Sequence, residues 1–484
     1  MIVGDDTSSL DVLLVNPPAP DGGPWSGGSP GNDHRPPGPQ TWPPVALAQM
    51  VAMLAPDYRV AVVDAAAEGL SWAEFEAMLR TRQPRYYLTR VRPASVQNDL
   101  FGTFLARGLG ARTIAAGLYA STMANSLLDC YPTLDFIVRD EPELTLRELV
   151  DTLEAAAGRW SADRAEPATW TGLRELFRAT GPDWRPAWSF AGGLDRQLAQ
   201  VRGLTWRCHG ESRSNPDRPP IPNPDDLPLA HHHHLPLHRY QMPLNNGPYA
   251  RVVVSRRSPV RARAPESVMA ELWLLYDLDI HQAHLLGDGF TTDRERMMSL
   301  CRMIIEEELP LRWMCCGRVE AVDAELLKTM SRAGCCLIAW NLEPAAGPGR
   351  NRRSLDRAGQ AIKWARQAGL KNWGCFPIGL PGETAAAVRE TIALAKALPL
   401  DLALFHPPAR GPSPRFRREG AQPTGGANGQ LSAEDLAYWQ KRAFREWALR
   451  PGPMWALLKD FNNWARLRNA GGVGQPSMGW VTGG

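Results

Sequence analysis

Eight cysteines stand at positions 130, 208, 301, 315, 316, 335, 336 and 375, and none is spaced as CxxC or CxxxCxxC. Without such spacing they read as reduced thiols used as small core residues. Asp288, Arg318 and Glu343 each follow an apolar run. A carboxylate pair beside an arginine can move protons; an inherited polar cluster is the plainer reading. Four histidines fill positions 231–234 of a proline-rich stretch. Metal-binding histidine pairs sit at i, i+4 on a helix or come from different elements. Adjacent ones are not expected to converge on one ion, so a solvated loop is expected and no metal ligand is assigned. There is no Gly-x-Ser-x-Gly elbow, His-Glu-x-x-His pair or Walker loop.

The elements that must position these groups fall into two series. Between residues 11 and 154, apolar runs at 11–15, 60–63, 86–89, 113–116 and 136–138 alternate with helical patterns at 45–54, 71–82, 98–107, from 121, and 142–154. Ser71 is a plausible N-cap. Five strands with intervening helices imply a parallel, doubly wound (Rossmann-like) sheet. Ligands of such sheets sit outside the carboxyl ends of the strands. That rule selects Asn16, Pro17, Asp64, Gly117 and Glu141 as candidate binding residues.

A second series begins at 252. Strands are expected at 252–254, 283–286, 311–315, 336–340, 373–378 and 402–405, with helices at 266–278, 292–308, 323–333, 357–367 and 383–398. Pro265 suits the first helical position. Thr292 and Asp323 suit N-caps, and Gly334 and Gly369 suit left-handed C-caps. Five or six such units make a partial (β/α)6 barrel, with chemistry at the carboxyl ends of its strands. The expected division is 1–155 for the sheet domain, 156–250 for a proline-rich connector, 251–410 for the barrel and 411–484 for a helical tail. The tail holds helices near 433–448 and 453–466, whose tryptophans at helical spacing suit packing.

Composition bounds the function. Hydrophobic content of 44% and charged content of 22% are ordinary for a globular protein. A net charge of +3 is too near balance to argue for nucleic acid. No apolar run approaches the roughly 20 residues that span a bilayer. The first residues lack the basic–apolar–small pattern of a signal peptide, which points to the cytoplasm.

Motifs across nearly the whole chain resemble the cobalamin-binding radical SAM family, in particular its branch of anaerobic cyclases and hopanoid-modifying enzymes. Asn16-Pro17-Pro18 is similar to the start of that family's cobalamin-binding domain. Ala116-Gly117-Leu118 stands where the family carries Gly-Gly-Pro, and Asp140-Glu141-Pro142-Glu143 where it carries Gly-Glu-x-Glu. In the barrel, Asp288-Gly289-Phe290-Thr291 resembles Asp-Asp-x-Phe-Thr, and Trp313-Met314-Cys315-Cys316-Gly317-Arg318 resembles Trp-x-Cys-x-x-Arg. Glu343 matches the glutamate that helps hold SAM, without its flanking glycines. The run from Gly379 to Thr384, Gly-Leu-Pro-Gly-Glu-Thr, is intact.

The resemblance breaks at one place. The family's first barrel strand runs into Ser-Arg-Gly-Cys-Pro-x-x-Cys-x-x-Cys and then Arg-Ser-Pro-Glu-x-Val. Both flanks are present, as Ser255-Arg256 and as Arg263 followed by Ala264-Pro265-Glu266-Ser267-Val268, but Ser258 stands where the first cysteine belongs and the others are missing. Three thiolates are needed to hold the four-iron cluster that cleaves SAM. The resemblance therefore implies cobalamin and SAM as candidate ligands, through the residues named above, with the four-iron cluster absent. The expected protein is a degenerate, non-radical homologue that binds a small-molecule ligand or a partner enzyme, with neither nucleic acid nor a membrane span. The alternative is an active cobalamin-dependent radical SAM enzyme, transferring methyl groups or modifying a carbon skeleton, with a non-standard cluster site sought first at Cys315 and Cys335.

Overall fold

A computed structural model describes residues 10–19, 42–93, 95–159, 176–179, 185–189, 191–241, 247–256, 260–287, 293–342, 352–380, 383–406, 431 and 433–450. The described residues divide into two compact units, one ending at Tyr240 and one beginning at Gln241.

The first unit is built on β1 (Val12–Asn16), β2 (Val60–Asp64), β3 (Tyr86–Arg90), β4 (Arg112–Ala116) and β5 (Phe136–Val138), all parallel. Two antiparallel strands, β6 (Leu204–Cys208) and β7 (Glu211–Ser214), complete a seven-stranded sheet in the order β2-β1-β3-β4-β5-β6-β7. The helices are α1 (Val45–Leu54), α2 (Ala65–Glu68), α3 (Trp72–Arg82), α4 (Val96–Gly108), α5 (Leu118–Thr122), α6 (Ala124–Cys130), α7 (Pro142–Ala156) and α8 (Leu194–Leu198). The strands read as continuous apolar runs because both of their faces are covered. Leu13, Val15, Val63 and Tyr87 pack with Phe75 and Leu79 of α3 in one core. Ala115 and Ile137 pack with Leu127 and Leu128 of α6 in another. Ser71 closes a capping box with Glu74 at the start of α3. The helix expected from Ser121 begins earlier, at Leu118, because Gly117 turns the chain into it at φ +111°.

A buried ion network ties α7 to the end of α1. The Arg147 guanidinium is fully buried and donates to Asp151 (2.9 Å), Asp57 (2.5 Å) and the Met53 carbonyl (2.9 Å). Tyr58 donates to Asp151 at 2.5 Å.

The second unit contains a six-stranded parallel sheet in the order β15-β14-β13-β12-β11-β8. Its strands are β8 (Ala250–Val253), β11 (Gln282–Leu286), β12 (Arg312–Gly317), β13 (Cys335–Asn341), β14 (Lys371–Pro377) and β15 (Leu402–His406). A short antiparallel pair, β9 (Ser255–Arg256) and β10 (Arg261–Ala262), follows β8. The helices are α9 (Pro265–Asp277), α10 (Arg294–Glu306), α11 (Ala324–Arg332), α12 (Arg352–Gln367), α13 (Ala385–Ala397) and α14 (Ala433–Ala448). Each barrel strand pairs in sequence with the next, with a helix between, which is the partial TIM-type arrangement.

Local signals explain the element ends. Asp323 caps α11, accepting from Leu326 N at 2.8 Å. Asp293 rather than Thr292 caps α10, accepting from Arg296 N at 3.1 Å. Gly334 and Gly369 take the left-handed conformation at φ +88° and +82°. Trp439 and Trp447 of α14 are buried, with arginines over their faces, so these tryptophans pack the tail helix. The second tail helix and its tryptophans lie outside the described residues. No helix among the described residues is long and apolar enough to cross a membrane.

Candidate functional site

In the first sheet the strand order reverses between β1 and β3, so a ligand is expected in the crevice outside their carboxyl ends. The residues there are Asn16, Pro17 and Pro18 after β1, Val91 and Arg92 after β3, and Gly117 after β4. Asn98 of α4 donates to the Pro18 carbonyl at 2.9 Å and fixes the course of the chain after β1. Arg92 is clamped by Asp99 (2.5 Å), which also accepts from Ser95 (2.9 Å). Gly117 is needed twice. Its φ of +111° is disfavoured for other residues, and a Cβ would meet the Val91 carbonyl oxygen at 3.3 Å. Leu118, next to it at the start of α5, is an exposed apolar side chain (49%).

Two of the residues expected to bind ligand are also engaged in the fold. Asp64 is buried and accepts from Asn16 Nδ2 (2.6 Å), Tyr240 Oη (2.7 Å) and Ala67 N (3.0 Å). Burial pushes its carboxyl up from the usual range, against those three donors. Glu141 accepts from Ile221 N at 2.8 Å. The neighbouring Arg139 binds Asp217 (2.8 Å), the Asn215 carbonyl (2.6 Å) and Thr205. Asp64 and Glu141 thus hold the segment after β7 to the sheet. Asn16, Pro17 and Gly117 remain at the crevice.

A cavity of about 580 Å³ lies at the other end of the sheet. It is lined by Arg85, Tyr86 and Arg112 at the amino ends of β3 and β4, together with Arg159. Two of these arginines are already engaged: Arg85 pairs with Asp11 and Glu154, and Arg159 with Glu154. It is not at a strand carboxyl end, so the crevice is the better candidate.

In the barrel the carboxyl ends of the strands carry Ser255 and Arg256, Gly287, Arg318, Asn341, Gly379 and His406. Arg318 is exposed at the end of β12. Asp288, Glu343 and Ser258 lie outside the described residues. Gly379 sits at φ +89°, and a Cβ there would meet Leu436 of α14 at 2.2 Å, so this glycine makes room for the tail helix. Its N–H and that of Leu380 both donate to Glu383, at 2.5 and 3.0 Å. Glu383 therefore orders the turn of the Gly-Leu-Pro-Gly-Glu-Thr run.

The described residues on either side of the missing cluster motif pair as two antiparallel strands. Arg261 pairs with Arg256 and Ala262 with Ser255, and Arg263 N donates to the Val254 carbonyl at 3.0 Å. The buried Arg263 guanidinium donates to the Val253 carbonyl (3.0 Å), the Ser267 carbonyl (3.0 Å) and Glu271. It locks the hairpin onto α9.

All eight cysteines are free thiols. Cys301 on α10 is pushed up to about 12 by burial and by Cys315 beside it, so Cys315 faces the helical layer. Cys335 is raised by burial and by its hydrogen bond with Cys315. The sequence reading named Cys315 and Cys335 as first substitutes for cluster ligands; packing against α10 corrects this, since the strand alternation puts Cys316, not Cys315, on the opposite face. Cys375 lies beside Cys316 and is raised by burial.

Among the described residues two groups lie close enough together to hold an ion: His231, His233 and His234, and Asp195, Cys208 and His209. The adjacent histidines converge because 232–234 form a 3-10 turn rather than an open loop. The proline-rich composition hid that turn; nothing in helix or strand periodicity signals it.

No protein-family model matches the chain. An uncharacterized methyltransferase of Pyrococcus horikoshii is 26% identical over 392 residues, which cover 75% of each protein. The anaerobic magnesium-protoporphyrin IX monomethyl ester cyclase of Rubrivivax gelatinosus is 23% identical over 388 residues, 75% of this chain. The match spans only 63% of the cyclase's own length. Among solved structures, the radical S-adenosylmethionine methyltransferase TsrM from Kitasatospora setae, with cobalamin and a 4Fe-4S cluster bound, superposes with a TM-score of 0.56. Identity is 16%, and the match covers 89% of this chain and 84% of that one. The parallel sheet domain followed by a parallel partial barrel is thus a fold that this chain shares with that solved methyltransferase.

Proposed function

We propose that this chain is a non-radical relative of the cobalamin-dependent radical SAM enzymes. It keeps their two-part fold, does not assemble the four-iron cluster, and works by binding a small-molecule ligand or a partner enzyme. The observation that carries this reading is the hairpin after β8. Three thiolates must converge where that strand ends; the chain from Val252 to Val268 contains no cysteine, and its described part is closed by the β9–β10 pairing. The side chains gathered there are serine and arginine, and a guanidinium cannot serve as an iron ligand. The donor set does not fit the cluster, and no radical step is assigned to the chain.

Cobalamin fits better. The crevice at β1, β3 and β4 is framed by prolines, a valine and a glycine whose missing Cβ lets the chain after β3 pack against the end of β4. Asn16, Pro17, Gly117 and Leu118 would hold it there. When bound, cobalamin supplies a cobalt that can carry a methyl group. SAM remains a candidate ligand of the barrel mouth through Arg318, Glu343 and Gly379.

Hydroxocobalamin titration, read by visible absorbance and by co-elution on gel filtration, tests the ligand-binding half of this reading. One cobalamin per chain is expected. Leu118→Asp is expected to weaken binding at least tenfold with the fold unchanged, because a bound corrin ring would cover the new carboxylate and strip it of water without a partner. Binding that is absent in the unmodified chain, or unaffected by the substitution, contradicts the assignment of the crevice.

A further inference from the structure

The four histidines at 231–234 have no part in either strand-end site. The chain enters their turn by a hydrogen bond from His231 N to the Ala48 carbonyl of α1 (3.1 Å). His234 N returns to the His231 carbonyl (3.2 Å), and Leu235 N to the His232 carbonyl (2.9 Å). The His232 ring points into the protein and is fully buried, and Leu235 and Leu237 are buried after it. The turn is therefore anchored, and its three other imidazoles are left together. The His231 and His234 rings are nearly parallel (10°) with centroids 5.9 Å apart. His233 lies 5.1 Å from one and 4.5 Å from the other.

We propose that His231, His233 and His234 form a binding site for a divalent transition-metal ion of the zinc, nickel or copper kind. One ring nitrogen from each lies within 4.8 Å of the others. Tetrahedral zinc, with Zn–N bonds of about 2.0–2.1 Å, places its nitrogen ligands about 3.4 Å apart. The remaining closure is a matter of side-chain rotation, for which the exposed His233 is free. Nδ1 of His231 is buried and has no hydrogen-bond partner among the described residues, a cost that coordination by, or ordering around, a metal ion would relieve.

The donor chemistry decides the class of ion. Three imidazoles and no carboxylate suit zinc, nickel or copper and not calcium or magnesium, which take oxygen ligands. Two half-buried ligands and one exposed ligand leave the fourth position open to water. The other group, Asp195 with Cys208 and His209, is a weaker candidate. His209 already pairs with Asp195 at 3.1 Å, and burial raises the Cys208 thiol that would have to ionise.

The test is isothermal titration of zinc chloride into the full, untagged chain after treatment with EDTA. The inference expects one zinc per chain, bound at least tenfold more weakly by His233→Ala and unchanged in His209→Ala. His233 is exposed, so its loss does not disturb the core, and circular dichroism checks this. Cobalt(II) added in place of zinc should give visible d–d bands that disappear in His233→Ala. Absence of one-to-one binding, binding that survives His233→Ala, or binding that instead follows His209→Ala overturns the site.

Discussion

Replacing Arg147 with methionine is expected to destabilise the first unit by about 3–5 kcal/mol. The guanidinium is fully buried and holds Asp151 and Asp57 at 2.9 and 2.5 Å. Removing it leaves two carboxylates buried without a counter-charge, and Tyr58 bonded to one of them. The volume of methionine limits the packing loss, so the effect isolates the charge. Denaturant unfolding read by far-UV circular dichroism gives the size of the effect. Arg80→Met is the comparison. Arg80 pairs with Glu76 at 2.6 Å on the exposed face of α3, where such a pair contributes about 0.3–0.5 kcal/mol. Equal effects of the two substitutions contradict the account of the α1–α7 contact.

Gly334→Ala is expected to cost the barrel about 2–5 kcal/mol, the sum of a left-handed backbone forced on an alanine and an overpacked site. Gly334 has φ +88°, and a Cβ would lie 2.2 Å from the Leu311 carbonyl oxygen. That neighbour is backbone, so it cannot swing aside. The same turn carries the bond from Trp313 N to the Gly334 carbonyl (3.1 Å), and Trp313 Nε1 donates to the Ala333 carbonyl at 2.7 Å. Displacing it therefore loosens the start of β12. Gly369 has a similar φ of +82° but open space around its Cβ direction, so Gly369→Ala should cost only about 1 kcal/mol. A smaller effect at 334 than at 369, measured by thermal unfolding, would falsify the packing argument.

The fold was legible because its signals are local and repeated. Apolar runs ending in Asn16, Asp64 and Gly117 alternate with helices opened by residues such as Ser71 and Pro142, and that alternation admits little except a parallel sheet. Gly334 and Gly369 marked helix ends for the same reason: only the left-handed turn asks for glycine there. The candidate site was less legible. The rule that ligands sit at strand ends selects Asp64 and Glu141 by position, but position does not reveal whether a carboxylate is already bonded. Asp64 is taken by Asn16 and Tyr240, the latter 176 residues away in sequence, and no local pattern encodes that pairing. Cys315 was misplaced because strand alternation gives two faces without saying which one meets the helices; Cys301 on α10 decides it. The turn at the histidines was not legible either, since a short 3-10 turn leaves no periodic trace in a run of four identical residues.

The central claim is that the barrel mouth cannot hold a four-iron cluster. Anaerobic reconstitution with iron and sulfide, followed by desalting and analysis of both elements, tests it most directly. His233→Ala should be run beside the unmodified chain, so that iron held on imidazoles without sulfide is not counted as cluster. The account predicts no stoichiometric sulfide in either protein and no charge-transfer band in the visible spectrum. About four irons with about four sulfides per chain would contradict it, and would direct the search for ligands to the thiols of Cys316 and Cys375.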